Sequence, residues 1–319
     1  MRKPLVVALV AVFSASLFVA PAEAAPRFRE YVALGDSWSA DVVIADTMGL
    51  PDSTYAPTGC FQSHRNYPKL LAKELQVPTF RDATCGSATT DHFFGPQTGL
   101  PTGETNPPQF ARLTKSTDLV TVGIGGNDAG FAGAAVSCIN VLPTNTNAFD
   151  AVKLPVSLPL LGSSVPLGGC KQRFVKDGRD ILAEQIAASQ PKLVRALKEI
   201  HRISPKAKIL MINYLDAIPA KGCYPLVPIT NEDMAYLHTT FAKLNAMVRG
   251  AAAQGGATFV DSFADSHGHD VCQLPHIRYV EGLGILSING VAVAVPAHPN
   301  SAGAAQQYRS MLNAVNRLR

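Results

Sequence analysis

The stretch Leu119-Val120-Thr121-Val122-Gly123-Ile124-Gly125-Gly126-Asn127-Asp128 decides the fold. It opens as a β-branched run without polar alternation and closes on glycines followed by an amide and a carboxylate. A strand of that kind is buried on both faces, as in a parallel sheet covered by helices. The strand is read over Thr117 to Ile124. Moving outward, Tyr31 to Leu34 is an apolar run ending at Gly35, Lys208 to Tyr214 is another, and Ala257 to Val260 ends at Asp261. A further strand is expected before Cys85. Helical patterns lie between these runs. Asn66-Tyr67-Pro68 opens one with Leu70, Leu71 and Leu75 on a single face. Residues 171–202 repeat apolar side chains at helical spacing, with Pro191 expected to interrupt or kink the run. Asn231 to Ala253 is a third, and Asn300 caps a last helix over Ser301 to Leu318. The alternation predicts one domain over 25–319, an α/β fold built as a three-layer α/β/α sandwich around a central parallel sheet. Such sheets place their ligands at the C-terminal ends of the strands.

Hydrophobic residues make up 47% of the 319 and charged residues 16%, the reverse of a disordered chain. A scattered net charge of +4 gives no surface for nucleic acid. Residues 1–24 begin with Arg2 and Lys3, continue as an apolar run from Leu5 to Ala20, and end in Ala22-Glu23-Ala24. This is the pattern of an export signal cleaved after Ala24, so a secreted monomer without stable membrane insertion is expected. Export accounts for the cysteines. Cys60, Cys85, Cys138, Cys170, Cys223 and Cys272 are even in number and lack C-x-x-C spacing, which favours disulfides over zinc. Many pairings are open. The sequential one, Cys60–Cys85, Cys138–Cys170 and Cys223–Cys272, closes the shortest loops and is expected. Asn140 to Gly169 has neither period and reads as a loop bridged at its ends, with Leu158, Leu160 and Leu161 as candidate walls for an acyl chain. Ile285 to Val295 reads as a hairpin turning at Asn289-Gly290.

Four segments carry candidate chemistry: Gly35-Asp36-Ser37-Trp38-Ser39, Cys85-Gly86-Ser87-Ala88-Thr89-Thr90, Gly125-Gly126-Asn127-Asp128 and His298-Pro299-Asn300. Taken singly, Ser37 or Asn127 reads as an ordinary helix cap. Together, in this order at successive strand ends, the segments resemble the SGNH or GDSL family of serine esterases and lipases. Asn66-Tyr67-Pro68 and Val120 to Asp128 are similar to segments of its secreted actinobacterial members. The resemblance implies a flavodoxin-like hydrolase fold with Ser37 as nucleophile and His298 as general base. It also implies an oxyanion hole formed by the Ser37 N–H, an N–H from Gly86 or Ser87, and the Asn127 side chain. Asp36 and Asp128 are expected to hold their loops, and no cofactor or metal is implied. Two positions depart from the family pattern. Many relatives carry Cys-Ser-Gly-Ala where this chain has Cys85-Gly86-Ser87-Ala88, so the donor position falls on Ser87 while Gly86 precedes it. Val295 stands where the family usually has an aspartate. Some members use a main-chain carbonyl instead, and this sequence resembles them.

Asp265, His267, His269 and Asp270 form a ligand-rich run that a metal-dependent esterase would need, but His-x-His on a glycine-containing loop reads as a solvated turn. His64, His92, His201, His238 and His276 have no partners in sequence. The expected activity is hydrolysis of a small-molecule ester or lipid through an acyl-Ser37 intermediate. A non-catalytic binding protein on the same fold is the alternative. The missing aspartate favours it, and the joint presence of Ser37, Asn127 and His298 opposes it.

Overall fold

The computed structural model describes residues 26–139, 169–282, 287–289 and 292–318. The export signal and the acyl-chain walls expected within 140–168 lie outside the described residues. The strands are β1 (Glu30–Gly35), β2 (Val43–Asp46), β3 (Thr79–Asp82), β4 (Leu119–Gly123), β5 (Val175–Lys176), β6 (Arg179–Asp180), β7 (Lys208–Ile212), β8 (Thr258–Val260), β9 (Ser287–Asn289) and β10 (Ala292–Ala294). The helices are α1 (Ser37–Ala40), α2 (Tyr67–Glu74), α3 (Asp91–Phe94), α4 (Phe131–Ser137), α5 (Cys170–Phe174), α6 (Ile181–Ile203), α7 (Asn231–Gly255) and α8 (Ser301–Arg317).

Five strands form one parallel sheet in the order β3-β1-β4-β7-β8. Successive side chains of a strand point to opposite faces, and each face has its own core. Val32, Leu34, Val120, Val122, Ile209 and Met211 pack with Leu193 and Leu197 of α6 and Phe241 and Leu244 of α7. Tyr31, Ala33, Leu119, Leu210 and Ile212 pack with Leu71 of α2 and Met311 and Val315 of α8. This is the expected three-layer sandwich. Full burial of one such aliphatic side chain contributes about 1.5–3 kcal/mol, which is why the uninterrupted apolar runs settle at the centre. The strand order reverses at β1, which pairs with β3 on one side and β4 on the other. A crevice therefore opens beyond Gly35 and Gly123, where chain leaves neighbouring strands toward opposite faces.

Three expectations need correction. Residues 171–202 are not one helix: α5 is followed by a hairpin of β5 and β6 before α6 begins. Asp177 (φ 51°) and Gly178 (φ 76°) both take the left-handed conformation that a tight hairpin turn requires. Asp180 then caps α6 by accepting from the Ala183 amide at 3.1 Å. Pro191 does not break α6, which runs continuously past it. Pro191 and Ala187, whose carbonyl loses its helical donor, are both exposed, so water can satisfy that carbonyl. The third correction concerns the late hairpin. β9 and β10 pair antiparallel, but the register sets Asn289 opposite Ala292, so Asn289 ends a strand instead of starting the turn. Residues 290–291 lie outside the described residues. β10 also pairs with β2, which local sequence did not announce. The disulfides are the sequential three.

Candidate active site

The crevice between β1 and β4 is closed from beneath by hydrogen bonds around two glycines. Asp36 N and Ser39 Oγ both donate to the Gly123 carbonyl at 3.0 Å. The Gln109 amide pairs with both backbone groups of Gly35 at 2.9 Å. A Cβ on residue 35 would lie 2.5 Å from Ser39 Oγ and 2.6 Å from the Gly123 carbonyl, so only glycine fits. Asp36 caps α1 by accepting from the Trp38 amide at 3.0 Å. Ser37 is thereby the first residue of α1, buried at the C-terminal edge of the sheet.

His298 arrives from the loop between β10 and α8. That loop is clamped to residues 279–282: Glu281 N donates to the His298 carbonyl at 2.9 Å, and Ala297 N donates to the Glu281 carbonyl at 3.1 Å. Asn300 caps α8 through the amides of Ala302 and Gly303, and its own amide donates to the Arg278 carbonyl at 3.0 Å. The clamp aims the imidazole at Ser37. His298 Nε2 lies 2.9 Å from Ser37 Oγ, and Nδ1 lies 2.8 Å from the Pro296 carbonyl. A carbonyl can only accept, so Nδ1 carries the proton and the Nε2 lone pair faces the serine hydroxyl. Burial pushes the imidazole down to about 4, outweighing the upward pull of the Pro296 carbonyl. The ring is therefore neutral at pH 7. A main-chain carbonyl occupies the role that Val295 cannot fill.

The second and third segments meet beside this pair. The Gly86 N–H is engaged by the Cys60 carbonyl at 3.1 Å, and the Gly86 carbonyl accepts from Gln97 Nε2 at 2.7 Å. Ser87 is exposed and takes a left-handed conformation (φ 61°), the geometry that glycine occupies most easily. Asn127 Nδ2 donates to the Ala88 carbonyl at 2.9 Å, which leaves the second hydrogen of that amide for another acceptor. Asn127 does not cap α4, since Gly130 holds that position. Asp128 accepts from Thr90 N at 3.0 Å and from Thr90 Oγ1 at 2.5 Å. Asp36 is buried deeply enough to lift its carboxyl to about 7 in spite of hydrogen bonds from Tyr214 and Trp38. Both aspartates thus hold loops, as the sequence suggested.

The remaining polar candidates disperse. His267 Nδ1 pairs with Asp216 at 2.6 Å, His269 stacks on Tyr279 with centroids 3.8 Å apart, Asp265 accepts from Ser310, and Asp270 accepts from the Cys272 amide. Among the described residues no three His, Cys, Asp or Glu side chains converge as a metal site. His64 pairs with Asp46, His92 bonds Thr89, His201 and His238 bond backbone carbonyls, and His276 is exposed. Sequence reading gave no role to Gln109 or Tyr214. For Tyr214 the available signal was its position, just beyond the C-terminal end of β7.

A family model described as the GDSL-like lipase/acylhydrolase family matches residues 33–306. The chain is 33% identical over 296 residues to Lipase 2 of Streptomyces coelicolor, covering 91% of this chain and 86% of that protein. It is 28% identical over 322 residues to an esterase of Streptomyces scabiei, covering 94% and 88%. Two solved structures share the fold with a TM-score of 0.63 each: an extracellular lipase from Streptomyces rimosus at 22% identity and phospholipase A1 from Streptomyces albidoflavus at 23%. Each alignment covers 90% of this chain, with 99% of the lipase and 98% of the phospholipase. The matched span runs from β1 into α8 and encloses all four segments at the crevice; the chain belongs to the GDSL-like lipase/acylhydrolase family.

Proposed function

We propose that this ester hydrolase is a secreted serine esterase acting on acyl or lipid esters, with Ser37 as nucleophile and His298 as general base. The observation that carries the reading is the 2.9 Å contact between Ser37 Oγ and a His298 Nε2 whose lone pair is directed at it by the Nδ1–Pro296 bond. Ser37 Oγ attacks the ester carbonyl carbon while its proton passes to Nε2. The carbonyl oxygen becomes an oxyanion, which the Ser37 N–H, the Ser87 N–H and the free hydrogen of Asn127 Nδ2 receive. Ser87 is preferred to Gly86 because the Gly86 N–H already serves the Cys60 carbonyl. Collapse breaks the bond to the alkoxy oxygen, which leaves as the alcohol with the proton from Nε2. Water, deprotonated by the same nitrogen, then attacks the acyl carbon and releases Ser37 and the acid.

Secretion is supported by the export pattern of residues 1–24, by three disulfides, and by the similarity to an extracellular lipase. The binding-protein alternative gains nothing from the missing aspartate once a carbonyl holds Nδ1. The test is covalent. A fluorophosphonate probe should label Ser37, and Ser37→Ala should lose both labelling and hydrolysis of nitrophenyl esters with its melting temperature unchanged. Wild-type turnover in that variant would refute the nucleophile.

A further inference from the structure

Behind the Ser–His pair runs a buried hydrogen-bonded chain that no step of ester hydrolysis consumes. Gly126 N–H donates to the Tyr214 hydroxyl at 2.6 Å, and that hydroxyl donates to Asp36 Oδ2 at 2.6 Å. Asp36 Oδ1 accepts from Trp38 N at 3.0 Å. The direction is fixed, because an amide can only donate and the phenol must pass its own proton onward. One end of the chain immediately precedes Asn127, and the other end flanks Ser37. Tyr214 and Asp36 are both buried. The phenol is set from behind, since Tyr214 N donates to Asn245 Oδ1 of α7 at 2.8 Å and the ring meets Trp38 edge-on at 5.2 Å. Gly126 admits it closely: a Cβ there would lie 3.0 Å from the hydroxyl and 3.2 Å from the ring carbon that bears it.

We propose that Tyr214 is a positioning residue for the reaction, latching the nucleophile turn to the amide before Asn127 so that the oxyanion donor stays in register with Ser37. The proposal rests on the roles given above to Ser37 and Asn127. Strand pairing couples β1 to β4 only as far as Gly35 and Gly123. Beyond that point the third segment is glycine-rich, with Gly125 at φ 127°, and its backbone has wide conformational freedom. Its ties through Asn127 to Ala88 and through Asp128 to Thr90 run to the second segment. The tie through Tyr214 runs to Asp36, the residue immediately before Ser37. It ends on the Asp36 carboxyl, and above about pH 7, where that group is ionised, the bond from the hydroxyl is stronger than a neutral one. Oxyanion stabilisation depends on donors held where charge develops, and a displacement of about 1 Å can cost about 10² in rate.

Steady-state kinetics on nitrophenyl butyrate, with wild type, Tyr214→Phe, Asn127→Ala and the double variant, test the latch. Tyr214→Phe should lower kcat about 10- to 100-fold and leave KM within about two-fold. The double variant should fall little below Asn127→Ala alone, because the latch acts through Asn127. Hydrogen exchange at the Gly126 amide should quicken in Tyr214→Phe. A kcat equal to wild type, or losses that multiply in the double variant, would overturn the proposal; so would a change confined to melting temperature. Should Tyr214→Phe fail to fold, Asp36→Asn addresses the other end of the chain. It keeps a capping oxygen for Trp38 and removes the carboxylate, and it must show the same kcat loss and the same non-additivity. Full activity there overturns the latch. Turnover retained by Ser37→Ala would instead overturn the underlying assignment of the nucleophile, whatever Tyr214→Phe does.

Discussion

His64 and His298 are equipped in opposite ways. His64 Nδ1 has a carboxylate, Asp46, at 2.9 Å, and the same carboxylate accepts from the His64 amide at 3.0 Å. His298 has a single carbonyl at 2.8 Å on the same ring atom, yet its far nitrogen meets a serine hydroxyl. His267 repeats the first arrangement with Asp216. Two imidazoles are therefore backed by carboxylates, and among the described residues the imidazole beside Ser37 has none. A carbonyl sets the tautomer as well as a carboxylate does, because both only accept. What it lacks is a full negative charge to balance the imidazolium, and the ring's low pKa records that lack together with its burial.

The sharpest way to break the comparison is to remove partners from each histidine. His298→Ala and Ser37→Ala should each reduce kcat by about 10⁴–10⁶, as loss of either member of a working pair does. Asp46→Asn and Asp216→Asn should each cost less than about ten-fold, as should Asp261→Asn, Asp265→Asn and Asp270→Asn. Loss of the carboxylate from a true triad costs about 10⁴. A fall of that size in any one aspartate variant that remains folded would show a displaced acid and undo the contrast.

The pH profile of kcat/KM gives a smaller effect. A histidine whose pKa is depressed keeps its base form above the folded value and loses it as pH falls through that value. Activity attributable to His298 should therefore persist down to about 4. At pH 5 this leaves roughly thirty-fold more free base than an ordinary imidazole would have. An earlier, partial step is expected at about 7, where Asp36 takes up a proton and can no longer accept from both Trp38 and Tyr214. Asp36→Asn should erase that step and leave the lower one. A single limb centred at 6.5 would mean that the ring is open to water.

The two ends of β1 extend the contrast between a well-served carboxylate and an absent one. Glu30, at the end remote from Ser37, accepts from Thr114, Thr117, Ser116 and Arg81. Burial works to raise its pKa, but these donors prevail and hold it at about 2. Its stabilisation is present above the unfolded value and lost as pH falls from about 4.5 toward 2. By linkage, stability falls with acidification through this range. Chemical denaturation across that range should show the loss, and Glu30→Gln should flatten it. The smallest expected effect concerns the Ser87 side chain. Ser87→Gly keeps the backbone N–H and relieves a left-handed serine. It should leave kcat within about two-fold and raise stability by up to about 1 kcal/mol, measured by urea unfolding. A large loss of kcat would give the Ser87 side chain a part in the reaction.

The strands of the central sheet were legible because β4, β1 and β7 announce themselves locally as apolar runs, and the candidate site was legible because its four segments, in order, resemble one family. Other features left weaker traces. Val43–Asp46 and Ala292–Ala294 pair across most of the chain, and neither run carries a mark of its partner. The helical spacing of residues 171–174 joins smoothly to that of α6, which hid the Asp177-Gly178 turn between them. Tyr214 read as one more apolar residue of a strand, since what sets it apart is a hydroxyl whose partners come from the turns after β1 and β4. Pro296 was invisible for a simpler reason: every residue has a carbonyl, and sequence does not say which one will face an imidazole.

That last point has a genetic side. The atom that orients His298 belongs to the main chain, so no codon change at position 296 can delete it. Heritable variation reaches it only by bending the loop, through Ala297 in its left-handed conformation (φ 60°) or through the Glu281 clamp. Selection on this step of catalysis would then leave its record in the shape of residues 295–300 and not in the identity of any one of them. On the proposed assignment, an alanine scan of Ser37, His298 and Pro296 would return two residues where three groups act.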